Sequence, residues 1–232
     1  MIDIVIPVLA RPANAQKVVD TIRASTTAPH TITFVCSPDD DAEITACAFT
    51  EASIGIVDWQ PGPGDGAKKW NFGYRFTKHT GHPFVFLGAD DLEFTPGWDT
   101  TALAEAERTG AGVIGTDDDA NPTVKRGRHS THSLVRRSYI DSVGGTFLDG
   151  PGVVYHEGYD HQFVDLELCK AAMDRGEWSF ARRSVVRHLH PLFNKSVSMD
   201  QTYEKALGKG SQDAAIYRER LQVWQRASRA SR

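Results

Sequence analysis

The stretch PFVFLGADDLEFTPGWD, Pro83 to Asp99, changes character halfway along. Phe84, Val85, Phe86 and Leu87 form an unbroken apolar run, the pattern of a strand covered on both faces. Asp90, Asp91 and Glu93 follow at once, and Pro96 with Gly97 closes a turn before the next helix. In an open α/β sheet, ligands bind outside the carboxyl ends of the strands, where such acids reach a cation and the phosphates it carries. A metal site is one reading of this turn. A solvated loop whose aspartates cap turns and the next helix is the other.

Upstream, the same rhythm repeats. IDIVIPV (Ile2–Val8) is a β-branched, apolar first strand, and Pro7 marks where its pairing stops. Arg11 and Pro12 lie at its carboxyl edge, and Asn14 opens a helix with Val18, Val19 and Ile22 as its stripe. TITFVC (Thr31–Cys36) is a second strand ending in Ser37-Pro38-Asp39-Asp40-Asp41; a short helix over 43–52 and a third strand, Ile54–Trp59, come next. This alternation predicts a parallel sheet with helices on its faces. The loop QPGPGDG leads into a helix over 67–80 that carries Lys68, Lys69 and Asn71 at its start, where an anionic ligand is favoured. A solvated basic turn is the bland alternative. No Walker A or G-x-G-x-x-G fingerprint is present.

Downstream, the spacing predicts a helix over 98–109, a strand over 112–115, a polar loop over 117–128 and a strand over 132–137. Five glycines in 144–158 mark a functional loop. DHQFVDLELCKAAMDRG (Asp160–Gly176) reads as a helix with Phe163, Leu166, Cys169 and Met173 inward. On it His161 and Asp165 share a face while Glu167 looks outward. SVVRHLH (Ser184–His190) reads as a last strand with His188 and His190 on one side, either structural or ligands. Residues 200–232 form a short and a longer amphipathic helix, an extension on a main domain of 1–199.

The 232 residues, 40% hydrophobic, suffice for a core, and a net charge of -4 argues against a nucleic-acid coat. Cys36, Cys47 and Cys169 lack metal or disulfide spacing, and no run is long and apolar enough to span a bilayer. With no signal peptide in view, the expectation is a soluble, cytoplasmic protein without stable membrane insertion.

In order and position these segments resemble a family 2 glycosyltransferase of the GT-A fold, over about residues 1 to 190. That likeness implies a Rossmann-like mixed α/β sheet flanked by helices. IVIPVLARP is similar to the family's opening strand and turn, with Pro7 and Arg11 on the donor side. FVCSPDDD is similar to its second acidic turn, where Asp39 or Asp40 meets the nucleotide base. Lys69 and Asn71 fall near the diphosphate. FVFLGADD resembles the D-x-D metal motif with Gly88 in place of the first acid, leaving Asp90, with Asp91 and Glu93 as substitutes. YDHQFVDLEL resembles the acidic segment carrying the catalytic base, Asp165 first and Asp160 second, although the family's Glu-Asp pair is not reproduced. RHLHP resembles the late strand whose histidine, here His188 or His190, completes the metal site.

The implied chemistry is metal-assisted displacement, with Mn or Mg, of a nucleoside diphosphate from a sugar, inverting the anomeric carbon. The donor is a nucleotide sugar; the acceptor is a hydroxyl of a small sugar, a lipid carrier, a protein or a modified nucleic-acid base. Two other readings stay open: a sugar nucleotidyltransferase, against which stands the absence of glycine from VIPVLARP, and a non-catalytic binding module on a degenerate transferase fold.

Overall fold

The computed structural model describes residues 1–195, 197–201, 203–204, 208 and 210–230. Alternation along the strands builds two apolar layers. In β1 (Ile2–Pro7), Ile2, Ile4 and Ile6 pack on one face with Phe34, Phe86 and Trp98, while Val5 packs on the other with Val35, Val85 and Leu87. The first face is covered by α1 (Pro12–Ser25), α2 (Asp41–Ala48) and α4 (Trp98–Thr109), and the second by α3 (Asp65–Phe76), α6 (Arg137–Val143) and α7 (Val164–Arg175). A single turn, α5 (Pro122–Lys125), interrupts the polar loop, and α8 (Gly210–Ala230) packs Ile216 and Tyr217 onto the second layer.

The remaining strands are β2 (His30–Cys36), β3 (Ser53–Ile56), β4 (Phe84–Leu87), β5 (Leu92–Phe94), β6 (Val113–Asp117), β7 (Ser133–Arg136) and β8 (Trp178–His188). Among the described residues they form one sheet in the order β3-β2-β1-β4-β7-β6-β8-β5. The first four pair in parallel, as the alternation predicts. The sheet as a whole is mixed: β7 is antiparallel to both β4 and β6, and β5 is antiparallel to β8. The reversal follows from connectivity. The chain leaves β6 and re-enters β7 through the loop 118–132 with no full crossover helix, so the strand returns in the opposite sense.

Two local expectations change. The last strand begins at Trp178 and stops at His188, so His190 lies beyond it and strand alternation does not govern its direction. The helix expected from Asp160 begins at Val164, because Phe163 sits in the left-handed region at φ 70° and cannot continue a helix backward. The amides of Asp160, His161 and Gln162 donate instead to the Asp213 carboxylate at 2.8, 3.0 and 2.7 Å. The short helix expected near residue 200 falls partly outside the described residues.

Candidate functional site

Because β2, β1 and β4 lie side by side in parallel, their carboxyl ends open on one edge. Arg11 follows β1, Asp39 and Asp40 follow β2, and Asp90 and Asp91 follow β4. Asp39 is exposed, whereas the Asp40 carboxylate accepts from the Ala10 and Glu43 amides at 2.8 and 3.3 Å, tying the first two strand ends together. Pro7 closes β1 half-buried.

The acidic turn is enclosed. Arg11 Nη1 lies 3.6 Å from both Asp90 Oδ1 and Asp91 Oδ2, while its Nε and Nη2 each donate to Asp200 at 3.0 Å. Its guanidinium stacks 3.9 Å from the Tyr203 ring centroid. Asn14 donates to Asp90 Oδ2 at 3.2 Å. Asp91 Oδ2 accepts from the Tyr203 hydroxyl at 2.8 Å and faces His188 Nε2 at 3.3 Å. Burial, helped by the charge of Asp91, pushes Asp90 up to about 7. Asp91 goes the other way: burial works against its charge, but His188 outweighs burial and holds it well below the carboxylate range. His188 rises in turn, as Asp91 overcomes its burial. His190 packs on His188 and Tyr203 at centroid distances of 5.2 and 4.7 Å and accepts the Leu192 amide at 3.2 Å; burial and then the His188 charge push it down to about 4.

The donor types present, though not their present arrangement, suit a divalent cation. Asp91 Oδ1 and His132 Nε2 are buried without a hydrogen-bond partner, and such lone pairs are costly to leave unmet. Oxygen and imidazole donors together suit a borderline divalent ion. Among the described residues, no three acidic, histidine or cysteine side chains yet surround one point. Positive charge comes from Arg11 at Asp90 and chiefly from His188 at Asp91.

A second centre stands on α7. His129 Nε2 faces Asp165 Oδ2 at 3.3 Å, and Asp165 Oδ1 accepts the Leu166 amide at 2.7 Å. Burial disfavours charge on both groups. Each overcomes it for the other: His129 is raised to about 11 and Asp165 is lowered. Asp160 lies outside the helix, its amide bound by Asp213, and His161, lowered chiefly by burial, feels the charges of both Asp165 and Asp91.

The structure gives two expected donor contacts other partners. Lys69 is 1% exposed, and its ammonium donates to the Val8 carbonyl at 2.7 Å and to Ser37 Oγ at 2.8 Å, with Asp65 at 3.0 Å. It ties the turns after β1 and β2 together from below. Asn71 donates to the Tyr155 carbonyl and accepts from the Val154 and Tyr155 amides at 2.8, 2.9 and 3.0 Å, which anchors the glycine-rich loop. Gly64 opens that helix at φ 77°, where a Cβ would stand 2.2 Å from the Glu157 carbonyl oxygen. Glu167 corrects an expectation: it is 1% exposed, accepting from the Phe147 amide at 2.7 Å and the Tyr159 hydroxyl at 2.5 Å and pairing with Arg220 at 2.8 Å.

His129, His132, Asn14 and Tyr203 were missed by sequence reasoning. The pair His129 and His132 just before a strand was the one available signal. A cleft of about 150 Å³ beside His188 is lined by Asp118, Asp119, Arg187 and Phe193. A larger one, about 560 Å³, lies between α4 and β8, away from both centres. Among the described residues, no helix is long and apolar enough to cross a membrane.

Neither a protein-family model nor a curated protein matches the chain. Solved structures do. The mannosyltransferase PcManGT from Pyrobaculum calidifontis, in complex with GDP-Man and Mn2+, superposes with a TM-score of 0.62 at 13% identity, over 80% of this chain and 56% of its own. TarS from S. aureus gives 0.59 at 11% identity, over 82% and 60%. Glucosyl-3-phosphoglycerate synthase from Mycobacterium tuberculosis, with Mn2+, UDP and phosphoglyceric acid, gives 0.61 at 14% identity, over 95% and 78%. The chain thus spans little more than half the length of the first two. It has the GT-A glycosyltransferase fold.

Proposed function

We propose that the chain is a glycosyltransferase that moves a hexosyl group from a nucleotide-diphosphate sugar to a hydroxyl acceptor, with inversion and the help of Mn or Mg. The observation that carries this reading is the acidic turn after β4. Asp91 faces His188 at 3.3 Å with one carboxylate oxygen unpartnered, beside the adjoining ends of β1 and β2. Residues 1–199 are the catalytic domain and 200–232 an extension packed on it, working in the cytoplasm, in keeping with three buried free cysteines.

Asp90 or Asp91 with His188 would hold the cation, which when bound neutralises charge growing on the departing diphosphate. Arg11, Asp39 and Asp40 border the donor from the ends of β1 and β2. Lys69 and Asn71 act on it through the loops they anchor. Asp165, kept ionised by His129, takes the acceptor's proton as the acceptor oxygen attacks the anomeric carbon. The nucleoside diphosphate leaves from the opposite face, so the carbon inverts. Asp160, in the loop fixed by Asp213, is the second choice for that proton.

Calorimetric titration of UDP, GDP, CDP and dTDP, each with and without Mn2+, tests this. Metal-dependent binding of one nucleotide is expected and identifies the base. Binding of none would favour a non-catalytic module, a reading that the Arg11 contacts to both carboxylates also fit.

A further inference from the structure

We infer that His132 is a ligand of the cation, forming with Asp91 and His188 a two-histidine, one-carboxylate set that prefers Mn2+ to Mg2+. This rests on the reading that the site works with a cation. It adds a donor that sequence reasoning did not find and a selectivity that the acidic turn alone does not imply.

The placement comes from the ladder between β4 and β7. The ladder ends with Phe86 opposite Leu134, and His132, just before β7, lies against Leu87 at the end of β4, next to Gly88, the position where an acid is missing from the turn. The ring of His132 is held from one side: Nδ1 lies 2.9 Å from the Leu87 carbonyl oxygen, which can only accept, so Nδ1 carries the hydrogen. That bond fixes the tautomer and leaves a lone pair on Nε2, the arrangement in which histidine ligates a metal. His132 is only 6% exposed, and its Nε2 has no partner; nor has Asp91 Oδ1. Most buried side-chain polar atoms have a hydrogen-bond partner, so an aimed, unpartnered Nε2 is a lone pair open to a ligand. The ring meets that of His188 edge to face at a centroid distance of 5.2 Å, and His188 in turn faces Asp91.

The donor set decides the metal. Mg2+ demands hard oxygen ligands in octahedral array and keeps its waters, whereas imidazole nitrogens suit first-row transition ions. Arg11 and Tyr203 share Asp91 Oδ2 with His188, which leaves Asp91 Oδ1 as the oxygen without a partner.

The test uses the full chain with Mn2+ or Mg2+ alone, and again with UDP or GDP. Pulsed electron paramagnetic resonance of the Mn2+ sample counts directly bound nitrogens; two are expected, and one would overturn the proposal without need of any variant. His132→Asn keeps an amide hydrogen for the Leu87 carbonyl and removes only the Nε2 donor. With folding checked by circular dichroism, it should lose one nitrogen and weaken Mn2+ binding by at least about tenfold, with Mg2+ binding changed less. An unchanged nitrogen count in that variant would also overturn the assignment. Should the unmodified chain bind neither ion, with or without nucleotide, the metal-assisted reading itself falls, an outcome distinct from a count of one.

Discussion

Asp91 and Asp165 are both carboxylates that face a histidine at 3.3 Å, yet they are held by different kinds of neighbour. The further partners of Asp91, Arg11 and Tyr203, come from the turn after β1 and from beyond the last strand, and Asp200 bonds the same Arg11. Asp165 is met by His129 and by its own helix amide, beside the buried Cys169. One oxygen of Asp91 is left without a partner, whereas neither oxygen of Asp165 is. A charge balanced by peripheral segments can be rebalanced by a ligand; a charge balanced inside the core is kept. The first arrangement suits binding and the second suits a permanent base.

The sharpest way to break this contrast is Asp165→Asn. Transfer should fall by about a thousandfold while donor affinity stays within about twofold, read by steady-state rates beside calorimetry; a parallel loss of affinity would make the two centres one. His129→Gln should follow, leaving the carboxylate of Asp165 without its counter-charge and costing about 3 kcal/mol in urea unfolding at pH 7. The same variant carries a pH signature. His129 is raised to about 11 from an ordinary value near 6.5, so its stabilisation is complete below about pH 6.5 and lost as pH climbs through 11. His129→Gln should flatten that alkaline decline, and an identical slope in parent and variant would remove His129 as its source. Asp91→Asn should weaken metal-dependent nucleotide binding by about 100-fold, or about 2.7 kcal/mol. Arg11→Met should have a smaller effect on unfolding, about 2 kcal/mol, because Asp200 is exposed and Asp90, already raised to about 7, can take up a proton when its counter-charge goes. A loss as large as that for His129 would erase the distinction between periphery and core.

What could be read from the chain beforehand was local. The apolar run before Asp90 announced a buried strand ending in acids, and the repeated strand and helix pattern announced the parallel half of the sheet. Asp165 and His188 were legible as chemistry-bearing residues near element ends. The rest depended on distant partners. Glu167 looks outward by helical spacing, and partners from outside its helix, Phe147, Tyr159 and the distant Arg220, explain why it is buried. Lys69 looks like an anion ligand until Val8 and Ser37 are seen to enclose it. His132 carries no periodic signal, since its meaning comes from antiparallel pairing beside β4, which the alternation pattern did not announce.

The short ladder between β5 and β8 has a consequence of another kind. Leu92 pairs with His188 directly after the acidic turn, and the Leu189 amide donates to the Asp91 carbonyl at 2.9 Å. Slipping this pairing by one residue would turn His188 to the opposite face. The spacing of Asp91 and His188 is therefore calibrated by a few rungs of backbone, whatever the length of chain between them. Insertions or deletions elsewhere along the intervening chain leave that gauge untouched so long as these rungs hold.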